Sequence, residues 1–290
     1  MEALRAAQPR EIFLVQDGPR ASHPDDELGC SEARAIAENI DWECTIHRVY
    51  SPDNLGVRAR FFTGLDEVFE MVDSAIILED DCLPDPSFFP YCHELLERYA
   101  EDDRVGMISG NNFLRGEDVS TDSYFFTPDT RIWGWATWRR VWQEFSSAEA
   151  NRTWDDGSRT EAISRLHSPI RRKAMTRMTG NNASVDSWGV SFVLHNLQRG
   201  YLNITPEVNV VRNIGFGAQS THTTFHSFTD DIAAGVLTFP LRHPTDVADT
   251  PEAGMVEARA HRRLWITFPL THPIDFARRV FGYLWHRLTH

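Results

Sequence analysis

Apolar residues along the chain fall into short unbroken runs separated by stretches of helical spacing. Ile12-Phe13-Leu14-Val15, Cys44 to Val49, Ile76-Ile77-Leu78, Val105 to Ser109 and Tyr124-Phe125-Phe126 each predict a strand. The run at Ile76 has no alternation, which predicts a strand buried on both faces, as inside a parallel sheet. Between these runs the apolar positions recur at three and four residues. Val57, Phe61, Leu65, Val68, Phe69 and Val72 predict one buried helical face, and Phe88, Phe89, Cys92, Leu95, Leu96 and Tyr99 another. Asp85 suits the N-cap of that second helix and Pro86 its first position. Further helices are expected over 1–8, ended by Pro9, and over about 29–39. Strand and helix in alternation predict a doubly wound α/β sheet.

The second half is patterned less regularly. Trp135, Trp138 and Trp142 stand at helical spacing and predict a core helix. Residues 146–183 are polar and basic, with Arg171, Arg172, Lys173 and Arg177 clustered; a surface helix and a mobile loop ending at Gly180-Asn181-Asn182 are expected. Ser184 opens a helix through about Gln198 that Gly200 stops, and two short strands flank Pro206. The stretch 231–272 predicts no clear order. Pro273 begins a last helix with Ala277, Val280, Phe281, Leu284, Trp285 and Leu288 on one face and Arg278, Arg279, His286 and Arg287 on the other. That face either packs on the body or lies on a membrane surface.

Composition narrows the function classes. The 290 residues can bury a large core, in one large domain or two small ones. A net charge of -13 argues against nonspecific nucleic-acid binding. Cys30, Cys44, Cys82 and Cys92 show neither metal-site spacing nor a disulfide framework, so reduced thiols and a cytoplasmic setting are expected. No signal peptide is visible, and no apolar run approaches the ~18 residues that span a bilayer.

The candidate chemistry gathers where strands end. Glu79-Asp80-Asp81 follow the Ile76 strand directly, at the edge where ligands sit in open α/β sheets. Three adjacent carboxylates repel one another; Mg2+ or Mn2+ would offset them, since such ions take oxygen ligands from one or two carboxylates plus substrate phosphates. A solvated acidic loop is the plainer alternative. Asp17 ends the first strand, level with the triplet if the strands are parallel, or is a simple turn former before Gly18-Pro19. Asn54-Leu55-Gly56 with Arg58 and Arg60 at a helix start suits a diphosphate, or is an ordinary glycine turn with solvated arginines. Trp133-Gly134 suits the floor of a sugar site. Asp186 lies near a helix N-terminus, as an acid or as a cap. Gly215 and Gly217 mark a loop with His222 beside it.

Taken in order, five stretches carry a resemblance: Phe13 to Arg20, Asn54-Leu55-Gly56, Ile77 to Asp81 with its Pro86-Ser87-Phe88-Phe89 continuation, Ile132 to Arg139, and Asn213 to Gly217 with Thr221-His222. Together, over about residues 10–225, they resemble the bacterial glycosyltransferases labelled family 2 or hemolytic-protein-like. These are similar in turn to N-acetylglucosaminyltransferases that carry Glu-Asp-Asp in place of Asp-X-Asp.

The resemblance implies a GT-A fold, a Rossmann-like mixed sheet flanked by helices. It would occupy 1–225, with a nucleotide-binding half at about 10–115 and an acceptor half at about 116–225, before an extension over 226–290 ending in an amphipathic helix. It implies inverting, metal-dependent transfer of a hexosyl or N-acetylhexosaminyl group from a nucleotide-sugar donor, a UDP-sugar favoured, to a glycan or lipid-linked acceptor for cell-surface polysaccharide. By motif position, Asp17, Gly18, Asn54, Gly56, Arg58 and Arg60 would meet the nucleotide, and Glu79 and Asp80 the ribose and donor sugar. Asp81, with His222, would bind Mn2+ or Mg2+. Asn111, Asn112, Trp133, Gly134 and Trp135 would line the sugar or acceptor side, and Asp186 would be the general base. The relatives read Trp-Asp where this chain has Val185-Asp186, and some have a second acid in place of Ser187. They also begin with an extra strand, whereas this chain starts inside the helix that follows it, so the sheet is expected to lack that strand. Two other classes stay open: a sugar-binding or scaffold protein with degenerate catalysis, and a sugar nucleotidyltransferase, for which Gly18-Pro19-Arg20 is a poor phosphate turn. A cytoplasmic protein with peripheral membrane contact through the last helix is expected.

Overall fold

The computed structural model describes residues 1–150, 155–180, 187–215, 232–271 and 273. After a short helix, α1 (Glu2–Ala7), the strands β1 (Glu11–Gln16) and β2 (Thr45–Tyr50) flank helix α2 (Asp26–Ala37). They pair in parallel, Glu11 opposite Thr45 through Gln16 opposite Tyr50. Helix α3 (Val57–Met71) leads to β3 (Ser74–Ile77), a short β4 (Cys82–Pro84), α4 (Phe88–Arg98), β5 (Val105–Ser109), β6 (Tyr124–Thr127) and β7 (Trp135–Trp138). Four helices follow, α5 (Arg139–Ala150), α6 (Asp156–Ser164), α7 (Pro169–Thr179) and α8 (Trp188–Arg199), then β8 (Leu202–Pro206), β9 (Val211–Asn213) and α9 (Pro251–Thr271).

The result is a mixed α/β fold whose main sheet has the order β3-β7-β5-β8-β6. Only β5 and β8 are parallel in it; β3 and β5 each run antiparallel to β7, and β6 antiparallel to β8. Helices cover both faces, and the alternation of side chains along β7 shows how. Trp135 meets Trp188 and Phe192 of α8, with ring centroids 6.0 and 5.0 Å away. Trp138 points to the other face, where its indole N–H donates to the Leu96 carbonyl of α4 at 3.0 Å. Trp142 of α5 joins the first layer, donating to Asp66 of α3 at 2.7 Å and packing on Phe62 and Phe145. The tryptophans are therefore core, but Trp135 and Trp138 belong to a strand; the expected helix starts only at Arg139.

The expected single doubly wound sheet does not form. β1 and β2 make a separate two-stranded sheet, and β3 is an edge strand paired only with β7. Among the described residues nothing pairs with the remaining edges of β1 and β3. β3 is consequently not buried on both faces: Ile77 is buried, while Ser74, Ala75 and Ile76 are half-covered. β5, between β7 and β8, is buried at all five positions.

Two local expectations also change. The N-cap of α4 is Ser87, not Asp85. The Asp85 carboxylate accepts from the Ser87 N–H at 2.9 Å and its hydroxyl at 2.6 Å, so Asp85 organises the turn that holds Pro86 and the helix starts beyond it. The stretch 231–272, unordered by its pattern, contains α9, 21 residues long. The helix expected from Pro273 onward and the loop end at Asn181-Asn182 lie outside the described residues.

Candidate active site at the carboxylate edge

Strand register collects one set of motifs at one end of the main sheet. Ile77 of β3 and Ser109 of β5 both stand opposite Trp135 of β7. The residues after Ile77, those after Ser109 and those before Trp135 therefore emerge together: Leu78 to Asp81, Gly110 to Asn112, and Trp133-Gly134. β4 and β9 add a fourth piece, because Cys82 stands opposite Asn213 and the Asn213-Ile214-Gly215 turn is carried to the triplet. Two glycines let these backbones approach. The Gly110 N–H donates to the Gly134 carbonyl at 2.8 Å. A Cβ on Gly134, whose φ is +67°, would lie 2.8 Å from the Val211 side chain of β9.

Within the triplet the three acids have different surroundings. Asp81 is half-buried, and its Oδ2 accepts from the Asn213 side-chain amide at 3.0 Å, while its carbonyl accepts from the Ile214 N–H at 2.8 Å. Gly215 lies so close that any side chain there would collide with the Asp81 carboxylate. Asp80 is exposed. Glu79 is half-covered, and burial first, then the charges of Asp81 and Asp80, raise its carboxyl to about 7. The edge thus carries more negative charge than its own donors compensate. A hard divalent cation beside these oxygens would relieve it and return Glu79 toward an ordinary value. The donor set fits an ion held by one or two carboxylates with the remaining positions left to water and phosphate. It does not make a closed cage: among the described residues no group of three or more His, Cys, Asp or Glu side chains is placed to hold a metal.

Asp17 is arranged in the opposite way. One carboxylate oxygen accepts from the backbone N–H groups of Gly18 and Leu55, the other from Gly56, each at 2.9 Å. Asn54 closes the same knot by donating from its side chain to the Gly18 carbonyl at 3.0 Å. Gly18 presses on the backbone of Asp53, where a Cβ would come within 2.5 Å. Asp17, Gly18, Asn54 and Gly56 are thus brought together as a latch between the end of β1 and the start of α3. Gly56, at φ +80°, turns the chain into that helix.

The other predicted residues divide. Arg58 is half-buried at the start of α3, 3.4 Å from the Ser191 hydroxyl of α8. Arg60 is turned inward: its guanidinium donates to the Val49 carbonyl of β2 and to Thr63, so it braces α3 on β2 instead of facing the helix start. Asn111 and Asn112 are corrected from sugar contacts to buried frame. The Asn111 amide bridges the Val211 carbonyl (3.2 Å) and the Trp133 N–H (3.1 Å), and Asn112 spans the Pro206 and Glu207 carbonyls (2.8 and 2.9 Å) and the Leu114 N–H (2.7 Å). Trp135 is fully buried and offers no surface to a ligand. Gly134 is buried as well, under Val211; Trp133 is half-covered and tilts against Phe113. Asp186 and His222 lie outside the described residues. The helix that follows Asp186 is placed: Trp188, first residue of α8, stacks on Phe61 and Trp135 beside the same edge.

Asn213 opens one of the five stretches, but pattern reading assigned it no role at the site. It sits 132 positions from its partner Asp81. Nothing in local periodicity links the two; the only signal is an Asn-Ile-Gly turn after a short apolar run.

Compared with known proteins, the chain matches no family model and no curated protein. No described helix is long and apolar enough to cross a membrane.

Proposed function

We propose that this chain is an inverting, metal-dependent glycosyltransferase of GT-A type that moves a sugar from a nucleotide-diphosphate donor, a UDP-sugar favoured, to a glycan or lipid-linked acceptor. The observation that carries the reading is the convergence of Leu78–Asp81, Trp133-Gly134 and Val211–Gly215 at one sheet end. They include parts of three of the five stretches behind the resemblance, and those parts are far apart in sequence. Asp81, steadied by Asn213, is the residue to hold Mn2+ or Mg2+, with Asp80 beside it. Bound there, the ion would act as a Lewis acid toward the donor's diphosphate as negative charge builds on the leaving group. Glu79 and Asp80 would hydrogen-bond ribose and sugar hydroxyls. Trp133 would present an indole face to a pyranose, and Arg58 would add positive charge at the start of α3. Asp186 remains the candidate general base for the acceptor hydroxyl.

The Asp17 latch gives a second reading its footing. A residue expected to meet the base already spends its carboxylate on three backbone donors. A sugar-binding or scaffold protein that has lost catalysis would retain such a frame. A calorimetric titration of nucleoside diphosphates, with and without Mn2+, separates the two. Metal-dependent binding of one nucleotide, lost in Asp81→Ala, is expected for the transferase. Absence of nucleotide binding at any metal concentration would remove the transferase reading. Binding of a glycan without a nucleotide would favour the second.

A further inference from the structure

The two halves of α9 are built for different surroundings. Ala253 and Val256 in its first half are buried against Leu114 and Phe125. Glu257 is locked to Arg131, which also pairs with Asp129 at 3.0 Å; Asp129 pairs in turn with Arg171 of α7 at 2.8 Å. Gly254 fits against His167 and Ser168 so closely that a Cβ would lie 2.7 Å away. The second half carries large apolar side chains into solvent: Trp265 is 47% exposed, Ile266 70% and Leu270 83%. Arg259, Arg262 and Arg263 are exposed on the preceding turns. Met255, Arg259, Arg262, Ile266 and Leu270 follow one another at helical spacing along a single exposed stripe.

Charge says what kind of surface would cover this stripe. The chain carries a net -13, yet no carboxylate occurs from Ala258 through Ile274, a stretch that holds three arginines. A second copy is a poor occupant, because a two-fold contact through this stripe would gather six arginines with no carboxylate from Ala258 through Ile274 to meet them. Three apolar side chains are also far fewer than the roughly 20 residues a side of a stable protein interface. Arginines followed within a turn by Trp, Ile and Leu on a helix anchored by its other half suit the boundary between lipid headgroups and acyl chains. We infer that the second half of α9, from Arg259 to Leu270, docks the protein on an anionic lipid surface, with Trp265, Ile266 and Leu270 entering the interface and the three arginines meeting lipid phosphates. The inference stands apart from the transferase reading, since it needs neither metal nor nucleotide.

Co-sedimentation of the full chain with vesicles tests it, using phosphatidylcholine alone against a mixture with phosphatidylglycerol. Wild-type protein is expected to sediment with the anionic vesicles, release in high salt, and stay in solution with the neutral ones. Arg259→Gln/Arg262→Gln/Arg263→Gln should weaken partitioning about a hundredfold, at roughly fivefold per arginine. Trp265→Ser/Ile266→Ser should weaken it on the same vesicles while leaving the thermal transition in place, because both side chains lie on the surface. Failure of wild type to bind anionic vesicles would overturn the inference, as would binding that survives both sets of changes. Self-association of wild type in sedimentation velocity, abolished by Trp265→Ser/Ile266→Ser, would overturn it in favour of a second copy. Because nucleotide binding is read separately by calorimetry, the two proposals fail independently.

Discussion

β1 and β3 both end in acid, and the two ends are compensated in opposite ways. At the end of β1 a single carboxylate receives three backbone N–H groups, a full complement of short bonds that ties strand, turn and helix together. At the end of β3 three carboxylates crowd together, of which Asp81 accepts from the Asn213 amide at 3.0 Å and the Cys82 thiol at 3.6 Å, and Glu79 is driven up to about 7. The strands behind them differ as well. β3 borders a five-stranded sheet with Trp135 beside it at its buried end, whereas among the described residues β1 pairs only with β2 and buries only Ile12. A satisfied carboxylate on a thin sheet builds a joint. Carboxylates crowded on the rim of a well-packed sheet keep their mutual repulsion, because the packed strands hold the loop in place.

Four experiments sharpen or break this contrast. The largest effect is expected at the core behind the triplet. Trp135→Ala should cost about 3–5 kcal/mol in denaturant unfolding, as for a large aromatic removed from a close-packed interior. A cost near that of a surface change would mean that the β3 rim is not rigidly backed.

Next comes Glu79. Its carboxyl is raised in the folded state, so between about pH 4.5 and 7 the folded protein binds more protons than the unfolded one, and stability falls as pH rises through that window. In chelated buffer the loss should reach up to about 3 kcal/mol. Glu79→Gln should flatten the pH profile of the melting temperature, and added Mn2+ should reverse the fall in the wild type. A flat wild-type profile would remove the idea of uncompensated charge at the edge.

Asp17→Ala should cost less, about 1–2 kcal/mol, because water can reach part of the knot and replace the lost acceptor. Its signature is local: faster amide exchange at Gly18, Leu55 and Gly56, with the pH profile of Glu79 unchanged. If Asp17→Ala instead abolished nucleotide binding while leaving exchange as it was, Asp17 would be a ligand residue and not a latch.

The smallest change is expected at Val15→Ala, about 0.5–1 kcal/mol, since this side chain packs on Gly64 of α3 but keeps 39% of its surface in solvent. A cost of several kcal/mol would show that β1 is covered in solution.

Much of this was legible before any coordinates. Apolar periodicity gave α3, α4 and α8 within a few residues, and the strands β1, β2, β5 and β6 as well. Gly200 stops α8 in the left-handed conformation, as a glycine after a periodic run should. The clustering of Asp17, Gly18, Asn54 and Gly56 followed the stretches singled out as motifs. Burial was less readable. Ile12 to Val15 and Val105 to Ser109 look alike as apolar runs, but one has a single lateral partner and the other is enclosed by strands and helices. The same limit made Asn111, Asn112 and Trp135 look like ligand contacts. Their types suit sugar binding, and only their buried bonds and packing reveal a structural use.

The sequence by itself determined the local grammar of this protein: strand or helix from the spacing of apolar side chains, the turns from glycine and proline, and the acids at a strand end from their position in the run. These depend on neighbours a few residues away. The tertiary structure alone decided which acids are compensated, which arginine faces inward, and which half of α9 is left exposed. The compensation of Asp81 and the anchoring of α9 depend on partners brought from far along the chain, as Asn213 is to Asp81 and Glu257 to Arg131, and no local pattern encodes the distance between them.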